Sequence, residues 1–212
     1  MTEQSLLDRC KRSLALALDL KDAGDLAVLR KLLATADGLF EGFWPGVLER
    51  LGLGPDECLK HKPTLVYGRL TGWGQDGPQP HSAGHDLNFI FMSGEGWYAS
   101  NHGGVPFPPP MLVGDIGGGA MYLAVGLLSG ILNARATGQG TLVDAAIHDG
   151  SAHMMNLLMT VRESGNLLPD ARGRGILDGP HWARCYRTSY GGHMSVQCLK
   201  QFDINVRHIR QP

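Results

Sequence analysis

The sequence predicts an α/β protein: a parallel β-sheet flanked by helices, followed by the start of a second, smaller domain. Three observations carry this. Strand-like and helix-like stretches alternate through the first 70 residues, as in a layered α/β fold. The clearest strand, Thr64 to Leu70, runs directly into a loop rich in glycine, proline and polar residues, Thr71 to Gly84. A long apolar helical pattern then leads to another strand, Thr141 to Ile147.

Taken in order, Ser13 to Leu20 is a short apolar run closed by charge, and reads as a buried strand. Asp25 opens a helical pattern with Leu26, Leu29, Leu32 and Leu33 on one face and Arg30 and Lys31 off it. Ala36 to Phe40 leads into a second strand, so the chain opens strand–helix–strand. That order suits a parallel pair joined by a right-handed crossover. Pro45 and Gly52 bracket a short helix, Val47 to Leu51. Pro55 begins another, with Asp56 and Glu57 in the first turn where the helix dipole favours them. Thr64 to Leu70 is rich in β-branched and aromatic residues.

The Thr71–Gly84 loop leaves the carboxyl end of that strand, where α/β proteins place ligands. Asp86 begins the next helix, Leu87 to Ser93, and Pro106 to Pro110 excludes regular helix. The long apolar helix follows Gly114-Asp115, ends near Arg135 and is stopped by Thr137-Gly138-Gln139-Gly140. Ser151 to Val161 is a further apolar helix. The chain turns irregular from Leu168 to Pro180, which divides it into a large domain (1–170), a linker (171–180) and an incomplete second unit (181–212). Within that unit, Cys185–Tyr190 and His193–Val196 read as two strands around Gly191-Gly192. A hairpin alone is barely stable, so this domain is begun and not finished.

The bulk properties are those of a soluble globular protein: 43% apolar, 18% charged, net charge -1. No basic excess argues for nucleic acid, and no polybasic run argues for an anionic membrane. Four scattered cysteines without a C-x-x-C pair fit reduced thiols. With no signal-peptide pattern, the expected location is cytoplasmic. The most apolar run, Gly117 to Ala134, is interrupted by glycines and a serine, and reads as a buried core helix in place of a membrane span.

Two side chains stand out for chemistry: His85 in Gly84-His85-Asp86, and Asp115 in Leu112–Gly119. An imidazole and a carboxylate facing each other across a pocket can move a proton. Each also has a plainer reading: a lone histidine is usually solvated, and Asp115 suits a helix N-cap. Gly117, Gly118 and Gly119 match neither dinucleotide nor P-loop spacing, so close helix packing is their default role. His148 and His153 diverge on a helix, and no metal is expected. No G-x-S-x-G is present, and no cysteine stands in a nucleophile context.

The stretch Gly68-Arg69-Leu70-Thr71-Gly72-Trp73-Gly74-Gln75-Asp76-Gly77-Pro78, with Ala83-Gly84-His85-Asp86, resembles the alpha-methylacyl-CoA racemases of the family III CoA-transferase superfamily. Leu112–Gly119, Gly138-Gln139-Gly140, Val143–Ala146 and Asp149-Gly150 resemble them in the same order, as do Ser13–Lys21 and Glu41–Pro55. The likeness covers roughly residues 9 to 200.

The resemblance implies a Rossmann-like large domain and an interlocked homodimer. It implies an acyl-CoA thioester as substrate, with no cofactor beyond the CoA the substrate carries. His85 and Asp115 become the acid/base pair. Gly42, Phe43, Trp44, Arg50, Gly84, Asp86, Leu87, Asn88 and Phe89 become contacts for the thioester. The reaction implied is inversion of the α-carbon of a 2-methylacyl-CoA: one base on each face, passing through an enolate that backbone N–H groups near Asp86 stabilise, with glycine at 84 easing the ligand's approach. Superfamily transferases instead use the aspartate as a nucleophile, and generally lack the histidine of Gly-His-Asp.

Three departures from the pattern matter. The chain enters near Arg9, downstream of a family segment that carries a CoA-binding arginine. Trp44 stands where the family usually has arginine. Lys200 stands where the family has a glutamate that pairs with the catalytic histidine, and an ammonium there would disfavour imidazolium. A truncated, catalytically impaired homologue that only binds CoA esters is therefore the other expectation.

Overall fold

The computed structural model describes residues 10–12, 19, 21–98, 103–107, 109–164 and 183–197. Apart from Asp19, the expected strand Ser13–Leu20 lies outside the described residues, as do the linker 171–180 and Lys200.

Helix α1 (Ala23–Thr35) begins earlier than the leucine spacing implied, because Asp22 caps it: its carboxylate accepts from the N–H groups of Gly24 and Asp25. Strand β1 (Gly38–Glu41), the short helices α2 (Val47–Arg50) and α3 (Pro55–His61), and β2 (Val66–Thr71) follow as expected. After the 71–84 loop come α4 (Asp86–Met92) and a 3₁₀ turn (Glu95–Tyr98). The apolar helix has two parts, a π-helical segment (Leu112–Ala120) and α5 (Met121–Thr137). Gly138, at φ 75°, closes α5 in the left-handed conformation glycine favours.

Strand β3 (Thr141–Ala146) joins a parallel sheet whose order among the described residues is β1-β2-β3, in which Val66 of β2 lies abreast of Gly38 and Thr141. The single helix expected over Ser151–Val161 is two, α6 (Ile147–Met154) and α7 (Asn156–Glu163), so Ile147 opens a helix and does not end a strand. Met155, at the joint between them, is 2% exposed. Strands β4 (Ala183–Arg187) and β5 (His193–Gln197) form the expected antiparallel hairpin.

Apolar burial organises one core around Leu48, Leu53, Cys58, Leu65 and Tyr67, with Leu26, Leu29, Leu33, Leu39, Leu51 and Leu59 packed against it. The Tyr67 hydroxyl is satisfied inside that core by donating to the Leu53 carbonyl at 3.0 Å.

The expectation of a fully buried core helix needs correction. Leu112–Thr137 is long and apolar enough, by length and composition, to cross a bilayer. Its glycines face the sheet: a Cβ on Gly126 would stand 2.5 Å from Val143 Cγ1, and one on Gly130 2.7 Å from Val66 Cγ1. Leu123 and Ala134 are buried on that side, while Val125, Leu128 and Leu132 stay well exposed. The sheet covers one face of α5, and among the described residues nothing covers the other.

Candidate active site

The carboxyl ends of all three parallel strands open on one cleft of about 700 Å³. Gly42–Pro45 after β1, Leu70–Trp73 around the end of β2, and Ile147 after β3 line it. The loop side contributes Gly84, His85 and Phe89, and the π-helical segment contributes Asp115 and Ile116. The strand ends of a parallel sheet diverge into loops there, which leaves room for a ligand.

His85 precedes α4 in extended backbone (φ -135°, ψ 173°). Its N–H donates to Asn88 Oδ1 at 3.0 Å, and its carbonyl accepts the Asn88 N–H at 2.8 Å. Asn88 thus clamps the backbone of His85 while the imidazole lines the cleft. Asp115 is not a helix N-cap; it sits inside the π-helical segment, a wide helical form often found at functional sites. Burial pushes its carboxyl above the usual range and the negative charge of Asp86 adds to this, while His85 opposes it. Imidazole and carboxyl therefore share one cleft, and His85 stands close enough to oppose the lift on the Asp115 carboxyl.

The remaining expected residues divide. Phe43 and Trp44 line the cleft and are more than half exposed, an apolar surface without a partner among the described residues. Phe89 is 4% exposed and forms the floor, with its ring edge-on to Trp73 at 4.8 Å. Gly84 lines the cleft, but its missing side chain makes room for protein: a Cβ would meet Phe89 Cε1 at 2.7 Å and Trp73 Nε1 at 3.0 Å. A Cβ on Gly72 would stand 2.1 Å from Phe89 Cζ.

Arg50, Asp86, Leu87 and Asn88 do not line the cleft. The Arg50 guanidinium reaches over Gly46, whose φ of 79° shapes the turn into α2. Leu87 is exposed, and Asp86 is buried with its side chain turned towards the Asp115 backbone. Gly118 and Gly119 take the packing role: a Cβ would stand 2.4 Å from Ser151 Oγ and 2.7 Å from Ile147 Cγ1 respectively. They bring the π-helical segment onto α6. Among the described residues no group of His, Cys, Asp or Glu is arranged to hold a metal ion.

Sequence reasoning missed the ion cluster behind the cleft. Arg69, 6% exposed, forms ion pairs with Glu41 and Glu49 and donates to Gln75 Oε1 at 3.0 Å. Glu41 in turn accepts the Phe43 N–H at 2.7 Å, which ties the cluster to the cleft wall. The signal was available: an arginine amid the apolar residues of a buried strand demands buried anions.

The model of CoA-transferase family III matches residues 4–205. The chain is 37% identical over 201 residues to mouse alpha-methylacyl-CoA racemase, covering 94% of this chain and 52% of that protein. It is 35% identical over 167 residues to acetyl-CoA:oxalate CoA-transferase of Acetobacter aceti, covering 76% and 41%. A CAIB/BAIF family protein from Brucella suis superposes with a TM-score of 0.72 at 24% identity, over 85% of this chain and 47% of that one. The chain thus spans about half the length of the curated relatives it matches.

Proposed function

The chain belongs to CoA-transferase family III, and from that premise we propose that it serves an isomerase that inverts the α-carbon of 2-methylacyl-CoA thioesters. The observation that carries the reading is the placement of His85 and Asp115 on one cleft at the strand ends. A thioester acidifies its α-hydrogen by delocalising the carbanion as an enolate. Inversion then needs one group to remove the proton from one face and another to return it to the opposite face. His85 and Asp115 are assigned these roles, which exchange with the direction of reaction. A carboxyl lifted above its usual range holds a proton to return more readily than an ordinary aspartate does.

Phe43, Trp44 and Phe89 offer apolar surface to the thioester. Arg50 does not line the cleft, but its guanidinium reaches over Gly46, next to the cleft-lining residues 42–45, and is assigned the CoA moiety as a charge. CoA enters as part of the substrate, so the reaction needs no separate cofactor.

The test is deuterium uptake at the α-carbon of a 2-methylacyl-CoA in heavy water. Exchange by the parent chain, lost in His85→Ala and in Asp115→Asn, is the expected result; absence of exchange in the parent chain overturns the reading. The similarity to acetyl-CoA:oxalate CoA-transferase supports a second reading, in which the Asp115 carboxylate attacks the thioester carbonyl and expels CoA as thiolate, leaving a mixed anhydride. A covalent acyl or CoA adduct on Asp115, seen by mass spectrometry after incubation with an acyl-CoA, would favour it.

A further inference from the structure

Asp86 is a carboxylate in an unusual place: 8% exposed, at the first position of α4, directly after His85. Its Oδ1 accepts the backbone N–H of Asp115 at 2.8 Å, the contact that joins α4 to the π-helical segment beneath the cleft. Gly114 permits this approach, since a Cβ there would stand 2.6 Å from the same oxygen and 2.7 Å from Ile90 Cγ2. The other oxygen, Oδ2, is buried with no hydrogen-bond partner. An unsatisfied buried carboxylate oxygen carries a desolvation cost. Here the residue that bears it follows one of the two groups assigned to proton transfer and holds the backbone of the other.

We propose that Asp86 is a positioning residue for this site: its carboxylate, anchored beside His85, grips the Asp115 backbone and so sets where the Asp115 carboxyl stands across the cleft. His85 is tied to Asp86 through one peptide bond, and Asp115 through one hydrogen bond. Beside the packing of Gly114 on Ile90 and of Gly118 and Gly119 on α6, this side chain supplies the polar link between the two groups. The π-helical segment leaves the Asp115 N–H free for this bond, because its wide turn takes up the chain differently from an α-helix.

The grip also acts electrostatically. Asp115 faces two titratable groups, Asp86 and His85. Asp86 faces Asp115 on the π-helical segment and Glu95 on the 3₁₀ turn. The titratable groups of α6 are engaged elsewhere, His148 with Asp149 and His153 with Tyr122. Glu95 is lifted by its own burial first and by Asp86 as well, while nearby Ser151 opposes the lift. The negative charge of Asp86 thus acts on carboxyls on both sides of it, and raises Asp115 in the direction that helps it hold a proton.

The kinetic part of this inference rests on the two-base reading; the structural part does not. The test compares the parent chain with Asp86→Asn, which keeps an acceptor oxygen and loses the charge, and with Asp86→Ala, which loses both. Carbon-13 NMR of the Asp115 carboxyl reads the linkage without any turnover. The expected result is a lower Asp115 titration midpoint in Asp86→Asn; an unchanged midpoint overturns the proposal.

In the α-deuterium exchange assay, Asp86→Asn is expected to move the Asp115 limb of the pH profile to lower pH. Asp86→Ala is expected to lower kcat by about 100-fold, the scale of an ångström of misplacement, with little change in KM. Parental kcat in Asp86→Ala would also overturn it. If the parent chain shows no exchange, the two-base reading fails while the NMR titration still decides the role of Asp86. Should Asp86→Ala not fold, Asp86→Glu, which keeps the charge and displaces the acceptor, takes its place: a kcat lowered on the same scale is expected, and parental kcat would overturn the proposal.

Discussion

Arg69 Nε stands 3.6 Å from Oε1 of Glu41 across the β1–β2 pair, with both side chains only 8% exposed. The strand register places Glu41, Arg69 and Asp144 abreast across the sheet. One buried cation thus serves three strands, and through Glu41 it also holds the Phe43 N–H at the cleft wall. Removing the cation leaves carboxylates already burdened by burial without their counter-charge.

Arg69→Ala is therefore expected to cost about 3–5 kcal/mol, the usual penalty for orphaning a buried charge. Glu41→Gln should cost less, because its amide oxygen still accepts from Phe43. Equilibrium denaturation measures both. A loss for Arg69→Ala no larger than that of an exposed arginine would show the cluster to be incidental.

Asp115 makes stability depend on pH in a stated direction. Its carboxyl titrates higher in the folded chain than in the unfolded one. Between those two values the folded chain holds a proton the unfolded chain has released, so stability falls as pH rises through that window and stays lower above it. Asp115→Asn should melt above the parent at neutral pH, with the difference vanishing below about pH 4, where both states are protonated. A melting temperature below the parent's at neutral pH would contradict this.

Gly72 and Phe89 are tested as a pair. A Cβ on Gly72 would stand 2.1 Å from Phe89 Cζ, so Gly72→Ala is expected to cost about 1–3 kcal/mol by overpacking. The same substitution in a Phe89→Ala background should cost much less, since the ring it meets is gone. Equal costs in the two backgrounds would place the strain elsewhere.

Asn88 is expected to matter through His85. Asn88→Ala removes the acceptor of the His85 N–H, and caps of this kind are worth about 0.5–2 kcal/mol. Asn88→Asp, which restores the acceptor, should recover both stability and α-proton exchange. If Asn88→Asp remained as impaired as Asn88→Ala, the clamp would not be the reason for the loss.

Much of the fold was legible because its signals are local. The apolar run at Thr64–Leu70, the leucine face of α1, the Pro/Gly punctuation around α2 and the glycines between β4 and β5 all emerge as elements of the expected type. The misreadings came where local pattern stops discriminating. A largely apolar stretch over 112–137 does not say that its first nine residues wind as a π-helix. A helical pattern over 151–161 does not reveal a joint at Met155, which the packing of α6 and α7 decides. Asp86 and Arg69 carried charges whose partners lie far along the chain, so their inward orientation left no mark in the neighbouring residues.

The sequence by itself determined the order of the parallel strands and most of the helices between them, because backbone propensity and side-chain periodicity act over a few residues. It also singled out His85 and Asp115 as candidates for acid–base chemistry. Only the tertiary structure decided that both line one cleft, that Asp86 turns away from that cleft to hold the Asp115 backbone, and that Gly72 and Gly84 make room for Phe89 and Trp73. Those outcomes depend on which segments the parallel sheet and its crossovers bring together. Burial and charge then act through space, between residues that the chain keeps apart.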